Sequence, residues 1–289
     1  MTTFNIAGLQ LALSPNQDNF AVIRQQVLAA KRRFSALDMV LLPELCTFGP
    51  APRFAETLPG ATEQKYCELA VEAGLWLCNG SLFERDGDQI YNTSSVIAPD
   101  GKVHCRYRKV YPFLPYEEGI SAGNEFTVFD IPGVGRFGLS ICYDMWFPES
   151  VRALVWQGAE VILHPTLTNT IDRNIELAMA RANACMNQCY LVDINSAATM
   201  GVGQSVVAGP GGEVVYQGGD QQEIIVVQLD LAYLRRVREQ GWQLLGQPLK
   251  SFRDTAVRFP QYQQQRSDYL DQLGPLQKPA GRNWTNESF

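Results

Sequence analysis

The stretch Gly138-Leu139-Ser140-Ile141-Cys142-Tyr143-Asp144-Met145-Trp146-Phe147-Pro148-Glu149 reads as an apolar strand that ends at a cysteine and turns over a proline into a helix. A strand–turn–helix step of this kind puts a thiol at the carboxyl end of a sheet, where α/β proteins keep their reactive groups. Cys142 is therefore a candidate nucleophile. A thiol of ordinary acidity, with a pKa near ~8.5, is only slightly ionised at neutral pH, so a base and an oxyanion partner must come from elsewhere in the chain.

The 289 residues around this step are 46% hydrophobic, enough for a well-buried core, and no linker divides them. We expect one domain over residues 1–260. From Gln261 the chain is Gln-rich with few large aliphatics, so 261–289 is expected as a tail that is extended or packs on a neighbouring subunit. Net charge is −6 with both signs scattered, which leaves no basic stripe for nucleic acid. The start, Met1-Thr2-Thr3-Phe4-Asn5, has no basic n-region, and no apolar run approaches the roughly 20 residues of a membrane span. A soluble, cytoplasmic protein is expected. The seven cysteines form no CxxC pair, and most read as small buried hydrophobes, Cys185 and Cys189 included. No metal or organic cofactor is called for.

Short β-rich runs alternate with amphipathic segments, the pattern of a layered α/β fold. Strands are expected at Phe4–Gln10, Met39–Leu42, Leu75–Phe83, Ser94–Ala98, Val103–Arg106, Phe126–Phe129, Phe137–Cys142, Val161–His164, Tyr190–Asn195, Ser205–Ala208, Glu213–Tyr216 and Ile224–Leu229. Phe20, Ile23, Val27, Ala30 and Phe34 share one helical face, and so do Ile175, Met179, Ala182 and Met186 after a capping Asp172. Turn chemistry between two β-runs recurs at 98–103 and 208–214. The repetition points to two similar halves, each with a mixed sheet, packed face to face with helices outside.

Two more predicted strands end in unusual polar residues. Val40-Leu41-Leu42-Pro43-Glu44 presents a carboxylate, and Tyr107-Arg108-Lys109-Val110-Tyr111-Pro112 an ammonium. Singly, Glu44 reads as a solvated loop acid, Lys109 as one cation of a surface run and Cys142 as a core thiol. Jointly they supply a base for the thiol proton, a cation for a tetrahedral oxyanion and a nucleophile for a carbonyl or nitrile carbon. The backbone N–H of Tyr143 is a further oxyanion donor. A Cys-His pairing with His164 as base is the alternative, though no orienting group for it is evident.

The segments P-E-L-C-T-F-G at 43–49, Y-R-K-V-Y-P-F at 107–113 and G-L-S-I-C-Y-D-M-W-F-P-E at 138–149 resemble the three signature segments of the nitrilase superfamily, the carbon-nitrogen hydrolases. The resemblance spans roughly residues 4–230. It implies a four-layer αββα sandwich of two mixed β-sheets and a Glu-Lys-Cys triad carried by Glu44, Lys109 and Cys142. A second family glutamate is matched by Glu117, with Glu118 as a possible substitute. Pairing into a homodimer or higher homo-oligomer through the helices at 149–157 and 172–188 is also implied.

Nitrilases of the family commonly carry Trp-Glu after the nucleophile, whereas Tyr143-Asp144 and Phe147-Pro148-Glu149 resemble the amidase and carbamoylase branches. The expected activity is an amidase converting a small amide to a carboxylic acid and ammonia through a thioester. An N-carbamoyl amine amidohydrolase or a nitrilase is the alternative, and an acyl-transferring or non-catalytic binding module is the alternative of another class. Thr166 and Thr168, with Leu167 and Asn169, follow a strand beside the nucleophile and are expected in the substrate pocket, as are Tyr116, Tyr143 and Trp146.

Overall fold

The computed structural model describes residues 3–263, 267–273 and 275–278. Of the expected tail, 264–266, 274 and 279–289 lie outside the described residues. The first half of the chain runs β1 (Thr3–Gln10), α1 (Phe20–Arg33), β2 (Met39–Leu41), α2 (Ala61–Ala73), β3 (Trp76–Cys78), β4 (Leu82–Asp86), β5 (Gln89–Ile97), β6 (Val103–Arg108) and β7 (Ile120–Ser121). The second runs β8 (Val128–Ile131), β9 (Gly135–Leu139), α3 (Pro148–Trp156), β10 (Val161–Thr166), α4 (Arg173–Asn187), β11 (Tyr190–Asn195), β12 (Val206–Ala208) and β13 (Val214–Gln217). It is followed by β14 (Glu223–Asp230) and α5 (Leu231–Gln240).

The central strands are apolar on both faces because each face is covered. In β1 and β2, Phe4, Ile6, Met39 and Leu41 face the second sheet, while Ala7, Leu9 and Val40 pack under Ile23, Val27, Tyr66 and Leu69 of the helices outside. In β10 and β11, Val161, Leu163, Val192 and Ile194 face the first sheet, while Ile162 and Leu191 pack under Val151, Leu154 and Ala184. Strand alternation thus sorts one sequence into two outer cores and one central core, giving a four-layer sandwich of two mixed sheets. Gly8 lets the two sheets approach closely: a Cβ there would lie 2.0 Å from Ile194 Cδ1.

The halves are less separate than the repeated hairpins imply. β1, β2 and β3 are parallel neighbours, as are β9, β10 and β11. β14, however, leaves the second half and pairs antiparallel with β1 from Thr3↔Asp230 to Gln10↔Glu223, completing an eight-stranded first sheet beside a six-stranded second one. Both predicted hairpins form, between β5 and β6 and between β12 and β13.

Four expectations are corrected. The run Leu75–Phe83 is two strands, broken at Asn79-Gly80-Ser81, where Gly80 adopts φ +73° and passes so close to the Pro43 carbonyl that a Cβ would sit 1.8 Å from its oxygen. Strand β5 begins at Gln89, earlier than its apolar residues, because its polar first half pairs with β4 across a turn at Gly87. Asp172 precedes α4 but makes no side-chain cap; its carboxylate accepts the Thr170 hydroxyl instead. The face of α4 at Ile175, Ala182 and Met186 is exposed, as is Cys185, whereas Arg173, Glu176, Asn183 and Asn187 point inward. That inner face is polar because it covers a buried ionic cluster described below. Among the described residues, no helix is long and apolar enough to cross a membrane.

Candidate active site

Three strand ends converge at one edge of the sandwich. Beyond β2, Pro43 and Glu44 continue toward the second sheet, and the Glu44 N–H donates to the Thr166 carbonyl at the end of β10 (3.3 Å). Leu45 turns away at φ +48°, its N–H held by the Ser81 hydroxyl at 3.0 Å. Lys109, directly after β6, is pinned by its own backbone, with its N–H on the Asn92 carbonyl and its carbonyl taking the Gly123 N–H, each at 2.8 Å. Cys142 sits at φ +47° in a tight turn between extended Ile141 and α3, which Pro148 opens. A left-handed conformation in a residue with a Cβ is uncommon and stays in place only when its surroundings over-determine it.

Those surroundings centre on Asp144. Its carboxylate, wholly buried, accepts the Ile141 N–H (2.8 Å), the Tyr111 N–H (2.9 Å) and the Tyr107 hydroxyl (2.7 Å). Burial pushes this acid up to about 6, against the pull of those hydrogen bonds. One side chain thereby ties the cysteine turn to the segment that follows Lys109.

Glu44, Lys109 and Glu117 form a continuous chain. The Lys109 ammonium, 1% exposed, donates to Glu44 Oε1 at 2.9 Å and to Glu117 Oε2 at 3.0 Å. Asn92 Nδ2 donates to the same Glu44 oxygen at 2.8 Å, and the Phe113 N–H fixes Glu117 at 2.5 Å. Burial alone would pull Lys109 down, but the two carboxylates and Cys142 hold it well above its ordinary value, so it stays charged. Burial raises Glu44, opposed by Lys109. Burial also pushes the Cys142 thiol well up, and the charge of Glu44 pushes it further, so the resting sulfur keeps its proton. A protonated thiol beside a carboxylate of raised basicity is an arrangement for proton transfer on attack.

A cavity of about 270 Å³ opens onto this group and is lined by Glu44, Lys109, Glu117 and Cys142. The rings of Phe113, Tyr116, Tyr143 and Trp146 form its wall, Phe113 lying 5.0 Å from Tyr116 and 4.8 Å from Tyr143. Thr168 lines it as well, with its hydroxyl committed to Glu176 Oε1 at 3.0 Å. Thr166 does not line it: the residue is buried within β10 and contributes its carbonyl to Glu44. Glu118 is exposed and lies outside the cavity, beside Leu276 and Lys278, because the turn that aims Glu117 at Lys109 sends the next side chain outward. His164 is buried in β10 with Nδ1 on the Ser140 hydroxyl at 3.0 Å, and burial lowers it to about 4. A neutral imidazole so held is a core residue rather than a base for Cys142.

Three residues here escaped the sequence reading. Asn92 carries no signal beyond a polar residue in a Thr/Ser-rich strand. Asp144 appeared only as a flank of the cysteine. Glu176 had a signal: Arg173, Glu176, Asn183 and Asn187 recur at helical spacing, a polar stripe opposite the apolar one.

Comparison with known proteins identifies the family. The profile of the carbon-nitrogen hydrolase family matches residues 5–239. The chain is 33% identical to human omega-amidase NIT2 over 262 residues, covering 83% of this chain and 93% of that protein. Among solved structures it is similar to Nit3 of Saccharomyces cerevisiae (28% identity, TM-score 0.76, 82% of this chain and 94% of that one). It is also similar to an amidase from Nesterenkonia sp. (27% identity, TM-score 0.73, 82% and 94%). With the fold, the strand-end cysteine and the family profile in agreement, this chain belongs to the carbon-nitrogen hydrolases of the nitrilase superfamily, on its amidase-like branch, as a cysteine-dependent enzyme acting on a non-peptide carbon–nitrogen bond.

Proposed function

We propose that the protein is an amidase that converts a small amide to a carboxylic acid and ammonia through a thioester on Cys142. The observation that carries this reading is the buried Glu44–Lys109–Glu117 chain, with links of 2.9 and 3.0 Å, lining the same cavity as the cysteine. Glu44 takes the thiol proton as sulfur attacks the amide carbon. The oxyanion is met by the Lys109 ammonium and the Tyr143 N–H. Glu44 then returns the proton to nitrogen, the carbon–nitrogen bond breaks and ammonia leaves. Water, deprotonated by Glu44, attacks the thioester, and collapse of the second oxyanion releases the acid and restores the thiol. Glu117 acts as a positioning residue that keeps the ammonium charged and aimed.

A related finding supports the choice of amide: a cysteine-to-alanine mutant of the Nesterenkonia amidase has been solved with butyramide. Ammonia release from short aliphatic amides, ureido compounds and matching nitriles tests the assignment. Amides should be turned over and Cys142→Ala should abolish turnover while remaining folded. Preference for nitriles, or activity retained without the thiol, overturns it. Formation of a hydroxamate from amide plus hydroxylamine, without acid release in water, would make the protein a transferase instead.

We also propose that the protein pairs with a second copy. Exposed Trp156 on α3 and exposed Ile175 and Met186 on α4 support this reading. Light scattering should find a dimer or larger species; a fully active monomer would refute it.

A further inference from the structure

The charge of the cavity bears on the acyl group, a question that rests on the amidase reading above. Its lining carries four carboxylates, Glu44, Glu117, Asp172 and Glu176, against one cation, Lys109. Lys109 is already bonded to two of the four. Among the described residues that line the cavity, no cation is left to clamp a carboxylate on the substrate.

The nearest arginine in sequence is turned the other way. Arg173 is 2% exposed, and its guanidinium is taken by Glu176 (3.1 Å), Asp193 (2.8 Å) and the Gln204 carbonyl (2.9 Å). Its effect is to fix Glu176, whose other oxygen accepts the Thr168 hydroxyl. Glu176 is thus a built acceptor, 4% exposed, on the cavity that holds Cys142. Its field reaches the sulfur, adding to burial and to Glu44 in pushing the thiol up. Asp172, half-buried with its carboxylate accepting the Thr170 hydroxyl, adds a second carboxylate one turn away.

The aromatic wall suits the same charge, since ring faces attract cations. Tyr116 already holds one: the Lys278 ammonium stands 5.6 Å from its ring centroid. A carboxylate entering the Glu176 and Asp172 end of this space would lose its hydration and meet like charge there, whereas an ammonium would exchange water for Glu176, Asp172 and ring faces.

We propose that the preferred substrate is a short amide whose acyl chain ends in an ammonium, with the amide at Cys142 and the cation at Glu176 and Asp172, and that amides ending in a free carboxylate are disfavoured. The cavity volume of about 270 Å³ restricts the chain to a few carbons.

The test compares 4-aminobutanamide, pentanamide and succinamate, by ammonia release with the intact enzyme and by calorimetric binding to Cys142→Ala. In both, 4-aminobutanamide should exceed succinamate by at least about tenfold, the scale of a close charge pair in a desolvated site. Asp172→Asn and Glu176→Gln should each lower the ratio of 4-aminobutanamide to pentanamide, by roughly three- to tenfold. Asp172→Asn keeps the experiment readable if Glu176→Gln fails to fold. Equal or better use of succinamate, or a ratio that neither variant moves, overturns the proposal. Binding in the expected order to Cys142→Ala, with no ammonia released from any amide by the intact enzyme, would overturn the amidase reading and leave the charge preference standing.

Discussion

The carboxylate of Asp144 accepts the backbone N–H of Tyr111 at 2.9 Å, two residues beyond Lys109, while the same carboxylate holds the Ile141 N–H beside the cysteine. Nucleophile turn and ammonium strand therefore share one fastening. Asp144→Asn presents an amide NH2 to backbone donors and loses charge-assisted bonds, each worth roughly 1.5–3 kcal/mol. We expect kcat to fall by about tenfold to a hundredfold, with slower alkylation of Cys142 by iodoacetamide and little change in KM. Unchanged alkylation would show that Asp144 does not set the cysteine geometry.

Lys109 separates folding from catalysis. Lys109→Met leaves Glu44 and Glu117 facing each other without a counter-ion, one almost wholly buried, and breaking such a pair costs about 3–5 kcal/mol. Adding Glu44→Gln removes the buried charge. The double variant should regain much of the lost thermal stability and none of the activity. A double variant less stable than Lys109→Met, measured by denaturant titration, would contradict this account.

Gly80 is a structural requirement of the Glu44 strand end. Ala at this position needs φ +73° and puts its Cβ 1.8 Å from the Pro43 carbonyl oxygen, a backbone atom. The contacts at Gly8 are with Ile194 Cδ1 and Cγ1, side-chain atoms rather than backbone. Gly80→Ala should cost more than the roughly 1–3 kcal/mol of ordinary overpacking and lower kcat; Gly8→Ala should stay within that range. Calorimetric melting of the two variants decides the order.

His164 makes stability depend on pH. Its folded value, about 4, lies below the unfolded value of roughly 6.5, so between these limits the unfolded chain binds the proton that the fold refuses. The stability present above pH ~6.5 is lost as pH falls toward ~4, by about 3 kcal/mol for this one group. Asp144 has the opposite sign: its folded value, about 6, is raised, so its ionisation destabilises the fold as pH rises through ~4 to 6. Urea titrations of wild type and His164→Gln across this range should diverge in slope, with the variant flatter. Parallel curves would mean that His164 is not the group responsible.

The three strand-end motifs were readable because the chemistry is local in sequence: a β-run followed by Pro-Glu, by Lys or by Cys-Tyr-Asp needs no distant partner to be noticed. The second carboxylate was narrowed to Glu117 or Glu118, and backbone geometry separates them, since successive side chains around the Phe113–Glu117 turn point in different directions. The apolar row on α4 was visible, but periodicity does not say which face a helix buries. Here the polar stripe goes inward because Arg173 meets Asp193 of β11 and satisfies Glu176.

By itself the sequence pointed to the layer order, through the two repeated hairpins and the resemblance of three motifs to a known family, and it showed which thiol, carboxylate and ammonium follow predicted strands. Tertiary structure alone decided that β14 crosses into the first sheet, that Asp144 fastens the cysteine turn to the lysine segment, and that Glu176 rather than an arginine lines the cavity. Each of these relations joins residues through hydrogen bonds or packing that depend on how folded elements are placed, and no local spacing encodes that placement.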